Sequence, residues 1–221
     1  MKKLFLISTC ALLAAPALAE DREWASYPKL VDSFKLDKFY ASPLGLRDKV
    51  SLFITLEPKN KHIKPSDIVL TVVHSAGKHV LPITPDGKLF IMPNPTWIKE
   101  DAKISTNLPK TEKVRVGFGM NALLPEGQQW RYAKLMGSVQ QGNDLIKSQA
   151  GMLNMFMPTL KSVILKFAKP AQVTIQDKDG VKLYSSDAKG LIKLTPDNRL
   201  MQENPAILLS ERPVEADLDT E

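Results

Sequence analysis

His74 and His79 are the residues of this chain whose type and spacing come closest to a metal site. They flank the turn Ser75 to Lys78, so in a hairpin they face each other across the strand pair, close enough to share a metal. His62 lies too far along the chain to join them. Two histidines supply at most half of a tetrahedral site, and no carboxylate or thiol adjoins them in sequence, so the simpler reading is a polar hairpin end. Met152, Met155 and Met157 form an M-x-x-M-x-M cluster, with Met136 one helical stretch earlier, and thioethers select Cu(I) where thiols are absent. Met152 and Met155 can share a helical face, whereas Met157 sits about 160° to 200° away on an ideal helix. A Met-rich helix also fills an irregular core. The candidate metal ligands are therefore Met152, Met155, His74 and His79, set against the reading that there is no metal and no cofactor.

Other constellations carry less chemistry. Asp177, Asp179 and Gly180 open like a calcium loop, but the remaining acids and the closing Glu are missing, which leaves a β-turn. Trp97, Trp130 and Tyr132 could form a sugar-stacking platform or belong to the core. No G-x-S-x-G, H-E-x-x-H, Walker A or G-x-G-x-x-G motif occurs, so no catalytic residue is assigned and the chain is not expected to be an enzyme. Paired carboxylates for glycoside cleavage would leave no mark in the sequence, because the fold sets their separation.

The first residues bear on where any of this would take place. Lys2 and Lys3 precede an apolar stretch from Leu4 to Leu13, and Ala17-Leu18-Ala19 has the small-x-small cleavage pattern. Residues 1–19 read as a secretory signal peptide cut near Ala19, with a core too short for a spanning helix and ending at Pro16. Cleavage would remove Cys10, the single cysteine, leaving a mature chain without disulfides that must rely on its core. A hydrophobic content of 43% is ordinary for such a core. The expected location is periplasmic or secreted, with no transmembrane span.

The formal charge of +6 is unevenly distributed. Lys2 and Lys3 leave with the leader, and the last eleven residues hold Glu211, Glu215, Asp217, Asp219 and Glu221 against Arg212, so the body is about +8 and the tail about −4. Lys59, Lys61, Lys64, Lys99, Lys103, Lys110 and Lys113 are scattered without a tight run, which favours a solvated basic surface over a dedicated polyanion site. No nucleic-acid recognition motif is present.

The elements that must position these residues are mainly strands. Val50 to Leu56, Ile68 to His74, Val80 to Ile83, Lys88 to Met92 and Val114 to Met120 are β-branched, aliphatic runs separated by turn residues. From Tyr132 to Met157 the composition turns helical, with Ile146, Ala150, Leu153 and Met157 on one face, Gly142 near the start, Gly151 in the middle and Pro158 at the end. Strand signals return from Ser162 to Leu209. The expected fold is mainly β, with two antiparallel β-sandwich-like modules joined by one α-helical segment. Its divisions are a tether over 20–33, a first β module over 34–125, a helical connector over 130–160, a second β module over 161–212 and an acidic, disordered tail over 213–221.

The two β regions echo each other. Ile83-Thr84-Pro85-Asp86-Gly87-Lys88-Leu89-Phe90 matches Leu194-Thr195-Pro196-Asp197-Asn198-Arg199-Leu200-Met201, with Asn94-Pro95 and Asn204-Pro205 following, as either a duplication or shared turn chemistry would produce. The pattern Val173 to Gly180, then Ser186 to Leu194, resembles small transthyretin-like and carboxypeptidase-regulatory-like β modules of exported proteins. That resemblance implies accessory binding or structural roles. The sequence points first to a non-enzymatic exported protein, a binding or assembly component of the bacterial cell envelope whose partner is an envelope protein or an anionic envelope surface. A periplasmic copper-binding protein using the Met and His ligands is the alternative, and an envelope glycan hydrolase the second alternative.

Overall fold

The computed structural model describes residues 22–150 and 158–221. The proposed leader with Cys10, and the segment holding Gly151, Met152, Leu153, Met155 and Met157, lie outside the described residues. The fold is mainly β, as the turn-punctuated aliphatic runs predict.

The strands occur in one order twice. The first half runs β1 (Arg22–Ser26), α1 (Tyr27–Ser33), α2 (Leu36–Ala41), β2 (Val50–Pro58), β3 (Leu70–His74), β4 (Gly77–Leu81), β5 (Lys88–Leu89), α3 (Pro95–Lys99), β6 (Lys103–Thr106) and β7 (Val114–Ala122). The second runs β8 (Gln129–Arg131), α4 (Tyr132–Ala150), β9 (Ser162–Lys166), β10 (Gln172–Asp177), β11 (Gly180–Ser185), β12 (Leu191–Leu194), α5 (Asn198–Glu203), β13 (Ala206–Leu209) and β14 (Glu215–Asp219). One four-stranded sheet has the order β1-β6-β3-β4 and another β8-β13-β10-β11, the same arrangement built from corresponding strands. The remaining strands form a six-stranded sheet, β12-β9-β14-β7-β2-β5, whose two halves mirror one another about β7 and β14. Those strands meet antiparallel at Asn121 and Asp217. The molecule thus has a pseudo-twofold seam through the middle of its largest sheet.

Local chemistry repeats with the topology. From β3 to β6 the halves correspond at a spacing of 103 residues, Gly77 with Gly180 and Gly87 with Gly190, each pair at positive φ. Gly87 and Gly190 need glycine twice over. Their φ values are 84° and 75°, and an added Cβ would collide with the carbonyl oxygens of Leu56 and Phe167 respectively. Asn94 caps α3 by accepting from the backbone N–H groups of Thr96 and Trp97, and Asp197 caps α5 by accepting from those of Arg199 and Leu200. Beneath each cap lies a buried tyrosine. The Tyr27 hydroxyl accepts from Asn94 N at 3.0 Å and donates to Met92 O at 3.3 Å, while that of Tyr132 accepts from Asp197 N at 3.0 Å and donates to Thr195 O at 3.2 Å. Burial pushes both phenols above their ordinary pKa, so both stay protonated. This register corrects the sequence echo, which set Asp86 against Asp197; the structural counterpart of Asp197 is Asn94, and Asp86 lies in the turn before β5.

Three other expectations are revised. Residues 22–33 do not form a tether: Arg22–Ser26 pair with β6, and Tyr27, Leu30 and Val31 are buried. The acidic tail is ordered from Glu215 to Asp219 as β14, paired along β9 in the interior of the six-stranded sheet. It folds because Ala216 and Leu218 point into the core while the acids alternate onto the opposite face, where lysines neutralise them. Gly142, expected near the start of α4, sits in its middle, where a Cβ would lie 2.5 Å from Leu160 Cδ1 and 3.2 Å from Leu218 Cδ1.

The helical signal itself corresponds to α4. Tyr132, Leu135, Met136, Val139, Leu145 and Ile146 are buried, and the helix packs on β2, β7, β9 and β14. Each fully buried aliphatic side chain contributes about 1.5–3 kcal/mol. Among the described residues no helix is long and apolar enough to cross a membrane.

Candidate functional site

The face of the six-stranded sheet turned away from α4 carries the densest group of ionisable residues. It begins with glycines. Gly117 and Gly119 on β7 leave a trench for side chains of β2, since a Cβ would lie 2.8 Å from Thr55 Oγ1 at Gly117 and 2.5 Å from Phe53 Cζ at Gly119. The Phe53 ring lies in this trench, and the Lys88 ammonium sits 4.6 Å above its centroid. Lys88 is only 5% exposed. Its Nζ reaches Glu215 Oε1 at 2.5 Å, Asp217 Oδ1 at 2.6 Å and Asp86 Oδ2 at 3.5 Å. Lys166 bridges the same two β14 carboxylates at 2.8 Å each and lies 3.7 Å from Asp86.

This network crosses the seam. Lys88, Asp86 and Asn121 come from the first half, while Lys166, Glu215 and Asp217 come from the second. Asn121 Nδ2 donates to Glu215 Oε1 at 2.7 Å, and Asn121 Oδ1 is buried with no partner among the described residues. Burial alone would raise the Glu215 and Asp86 carboxyls. For Glu215 the bonds from Lys166, Lys88 and Asn121 outweigh it, and for Asp86 the Thr84 hydroxyl and the two lysines do so; both stay below their ordinary values. Burial likewise opposes the Lys166 charge, but its bonds to Asp217 and Glu215 hold its pKa above the usual lysine value. The arrangement is an ionic clasp between halves. The sequence hid it because its residues are spread over more than a hundred positions and two of the six, Glu215 and Asp217, fall in the expected tail.

The structure brings His74 and His79 onto one aromatic ring. They share a sheet face on the β3–β4 hairpin, with ring centroids 5.2 and 5.1 Å from that of Trp97 on α3. Tyr27 packs edge-on against Trp97 at 5.3 Å. His74 Nδ1 accepts from Ala76 N, and the Glu100 carboxylate accepts from both Ser75 N and Ser75 Oγ, bonds that hold it below the usual glutamate range. In the second half the equivalent hairpin end is ionic. Arg199 bridges Asp177 at 2.8 Å and Asp179 at 2.6 Å, and Lys178 pairs with Glu203 at 2.9 Å. Asp177 and Asp179 therefore serve a two-residue turn, with Asp179 N donating to Asp177 Oδ1. Among the described residues no three His, Cys, Asp or Glu side chains are grouped closely enough to hold a metal. Trp130 and Tyr132 are buried, so neither offers a ring to a sugar.

A different feature appears on the outer faces of the four-stranded sheets. Val80 on β4 is 60% exposed, and Val181 and Leu183 on β11 are 64% and 58% exposed. Val80 lies opposite Thr71, and Leu183 lies opposite Thr174, which in turn pairs with the exposed Leu208 of β13. Val80 and Leu183 are equivalent at the 103-residue spacing. Both β4 and β11 are terminal strands, so each has an edge of backbone donors and acceptors facing away from its sheet.

A family model described as a protein of unknown function, DUF2987, matches residues 47–167, more than half of the chain. The chain belongs to that family. The matched segment runs from β2 through β9 and spans the seam. No curated protein and no solved structure matches the chain.

Proposed function

We propose that this member of the DUF2987 family is a non-enzymatic, exported component of the bacterial cell envelope that binds or assembles with another envelope protein. The observation that carries the reading is the exposure of aliphatic side chains on both terminal strands, Val80 on β4 and Val181 with Leu183 on β11, of which Val80 and Leu183 stand at equivalent places. An extended segment of a partner can add to such an edge, taking affinity from the backbone and specificity from the aliphatic row. The chemistry of the clasp supports binding over turnover. Glu215 and Asp217 are neighbours on one strand, both bound by lysines, and Glu215 is held ionised. A glycosidase needs one carboxyl protonated near neutral pH.

Export is tested by osmotic-shock fractionation with mass measurement of the intact protein. The reading expects release with the periplasmic fraction and a mass corresponding to cleavage near Ala19. Retention in the cytoplasm with an uncut amino terminus would defeat it.

A copper-handling reading draws on the gathering of His74 and His79 against Trp97, which offers two nitrogen ligands. Titration with Cu(I) under reducing conditions, repeated on His74→Ala/His79→Ala, tests it; unchanged affinity in the variant removes these two ligands from consideration.

A further inference from the structure

A second charged site lies at the end of the β2–β7 ladder. Lys59, Lys61, Lys113 and Arg115 line a cavity of about 330 Å³, with Glu57 as the one acid among its lining residues. The sequence scattered these cations over more than fifty positions; antiparallel pairing of Glu57 with Arg115 and Pro58 with Val114 brings them together. The ladder continues one step through Lys59 N donating to Lys113 O at 2.8 Å, which sets two lysines opposite each other. Like charges in that position cost stability. Glu57 pairs with Lys61 at 2.7 Å and Arg115 at 3.4 Å, while neither Lys59 nor Lys113 has an ion-pair partner among the described residues.

The loop is held in shape before any ligand arrives. Asn60 N donates to Glu112 Oε1 at 3.0 Å, Asn60 Oδ1 accepts from His62 N at 3.0 Å, and Ile63 N donates to Asn60 O at 3.1 Å. An uncompensated pair of lysines on a fixed loop, flanked by two more cations, is suited to a compact multivalent anion. A cavity of this size takes a single phosphate and its immediate substituents, whereas a polysaccharide would require cations along an extended groove.

We infer that this end of the molecule binds the phosphate of an anionic lipid headgroup, seated between Lys59 and Lys113 with Lys61 and Arg115 at its flanks. The inference goes beyond the protein-docking surface and rests on export only for where the lipid would be met. A vesicle assay reads it whether or not the chain is exported.

The experiment is co-sedimentation of the full chain with phosphatidylcholine vesicles, with and without phosphatidylglycerol, at low and high salt. Binding is expected only to the anionic vesicles and is expected to weaken with salt. Lys59→Gln/Lys113→Gln should lower affinity about thirtyfold, each lysine near an anionic surface contributing about fivefold. Its melting temperature should not fall, because the change relieves a repulsion; this separates lost binding from lost folding. Lys169→Gln/Lys189→Gln, which removes the same charge elsewhere, should retain affinity within about threefold. Equal binding to neutral vesicles, no binding to anionic ones, or an equal loss in both double variants would overturn the inference. So would saturable binding of inorganic phosphate, or of a soluble anionic polysaccharide, by a protein that ignores vesicles.

Discussion

Replacing Lys88 by methionine tests whether the seam is held by its ionic clasp. The substitution keeps most of the side-chain volume and the contact with Phe53 but removes the charge that faces Glu215, Asp217 and Asp86. Breaking a buried pair by deleting one partner costs about 3–5 kcal/mol. Here Lys166 still holds both β14 carboxylates, and those are 20% and 24% exposed, so the expected loss is about 2–4 kcal/mol. At about 2–4 °C per kcal/mol for a chain of this size, the melting temperature should drop by about 4–16 °C. Asp217→Asn supplies the second arm of a double-mutant cycle in urea. The two changes should fall short of additivity by about 1–3 kcal/mol. Acid behaviour gives an independent reading. Glu215 and Asp86 are held below their ordinary values of 4.5 and 3.8, so their stabilisation is complete above those values and is lost as pH falls through the lower, folded ones. The wild type should lose stability below about pH 4.5, and Lys88→Met should lose less over the same range. Additivity within about 0.5 kcal/mol, together with identical acid profiles, would refute the clasp.

The repeat makes paired predictions. Tyr27→Phe and Tyr132→Phe each remove two part-buried hydrogen bonds, to a backbone N–H and a carbonyl, and each should cost about 0.5–1.5 kcal/mol by urea unfolding, with the two losses alike. Asn94→Ala and Asp197→Ala remove equivalent caps and should each cost about 0.5–2 kcal/mol in the same assay. Gly87→Ala should destabilise by more than about 1 kcal/mol, because it combines a left-handed φ with a clash against the Leu56 carbonyl. On the alkaline side, Lys166 contributes fully below its ordinary value of 10.5 and loses that contribution as pH rises through its raised folded value, so Lys166→Met should flatten the stability profile there.

What could be read from the chain depended on how local its causes were. The strands from Val50 to Leu56 and from Leu70 to His74, and the body of α4, follow from runs of aliphatic residues and breaks in composition. β14 was missed although Glu215-Ala216-Asp217-Leu218-Asp219 alternates as a strand should. Three acids in five residues read as a solvated tail until Lys88, Lys166 and Lys193 are placed against them. Long-range pairing also hid the cationic cavity, since Lys59 and Lys113 become neighbours only through the β2–β7 register. The repeat was visible as an echo in the wrong register. Pro-Asp turn chemistry resembled itself more closely than the diverged caps at Asn94 and Asp197 did. Of the candidate site, the hairpin placed His74 and His79 on one face but across from Gly77 and Val72 rather than from each other, because the turn is only two residues long, and Trp97 reached them through α3 without a sequence signal.

The proposed role stands on the outer faces of the four-stranded sheets, so the most direct measurement is site-specific photo-crosslinking in living cells. A photoreactive residue is placed in turn at Val80, at Leu183 and at Lys147, an exposed control position on α4. Discrete crosslinked species of defined mass are expected from Leu183 or Val80, those from Leu183 being lost when Val181→Lys disrupts the β11 row, and none from Lys147. Crosslinking no greater at Leu183 and Val80 than at Lys147, from a chain that fractionates with the envelope, would contradict that role.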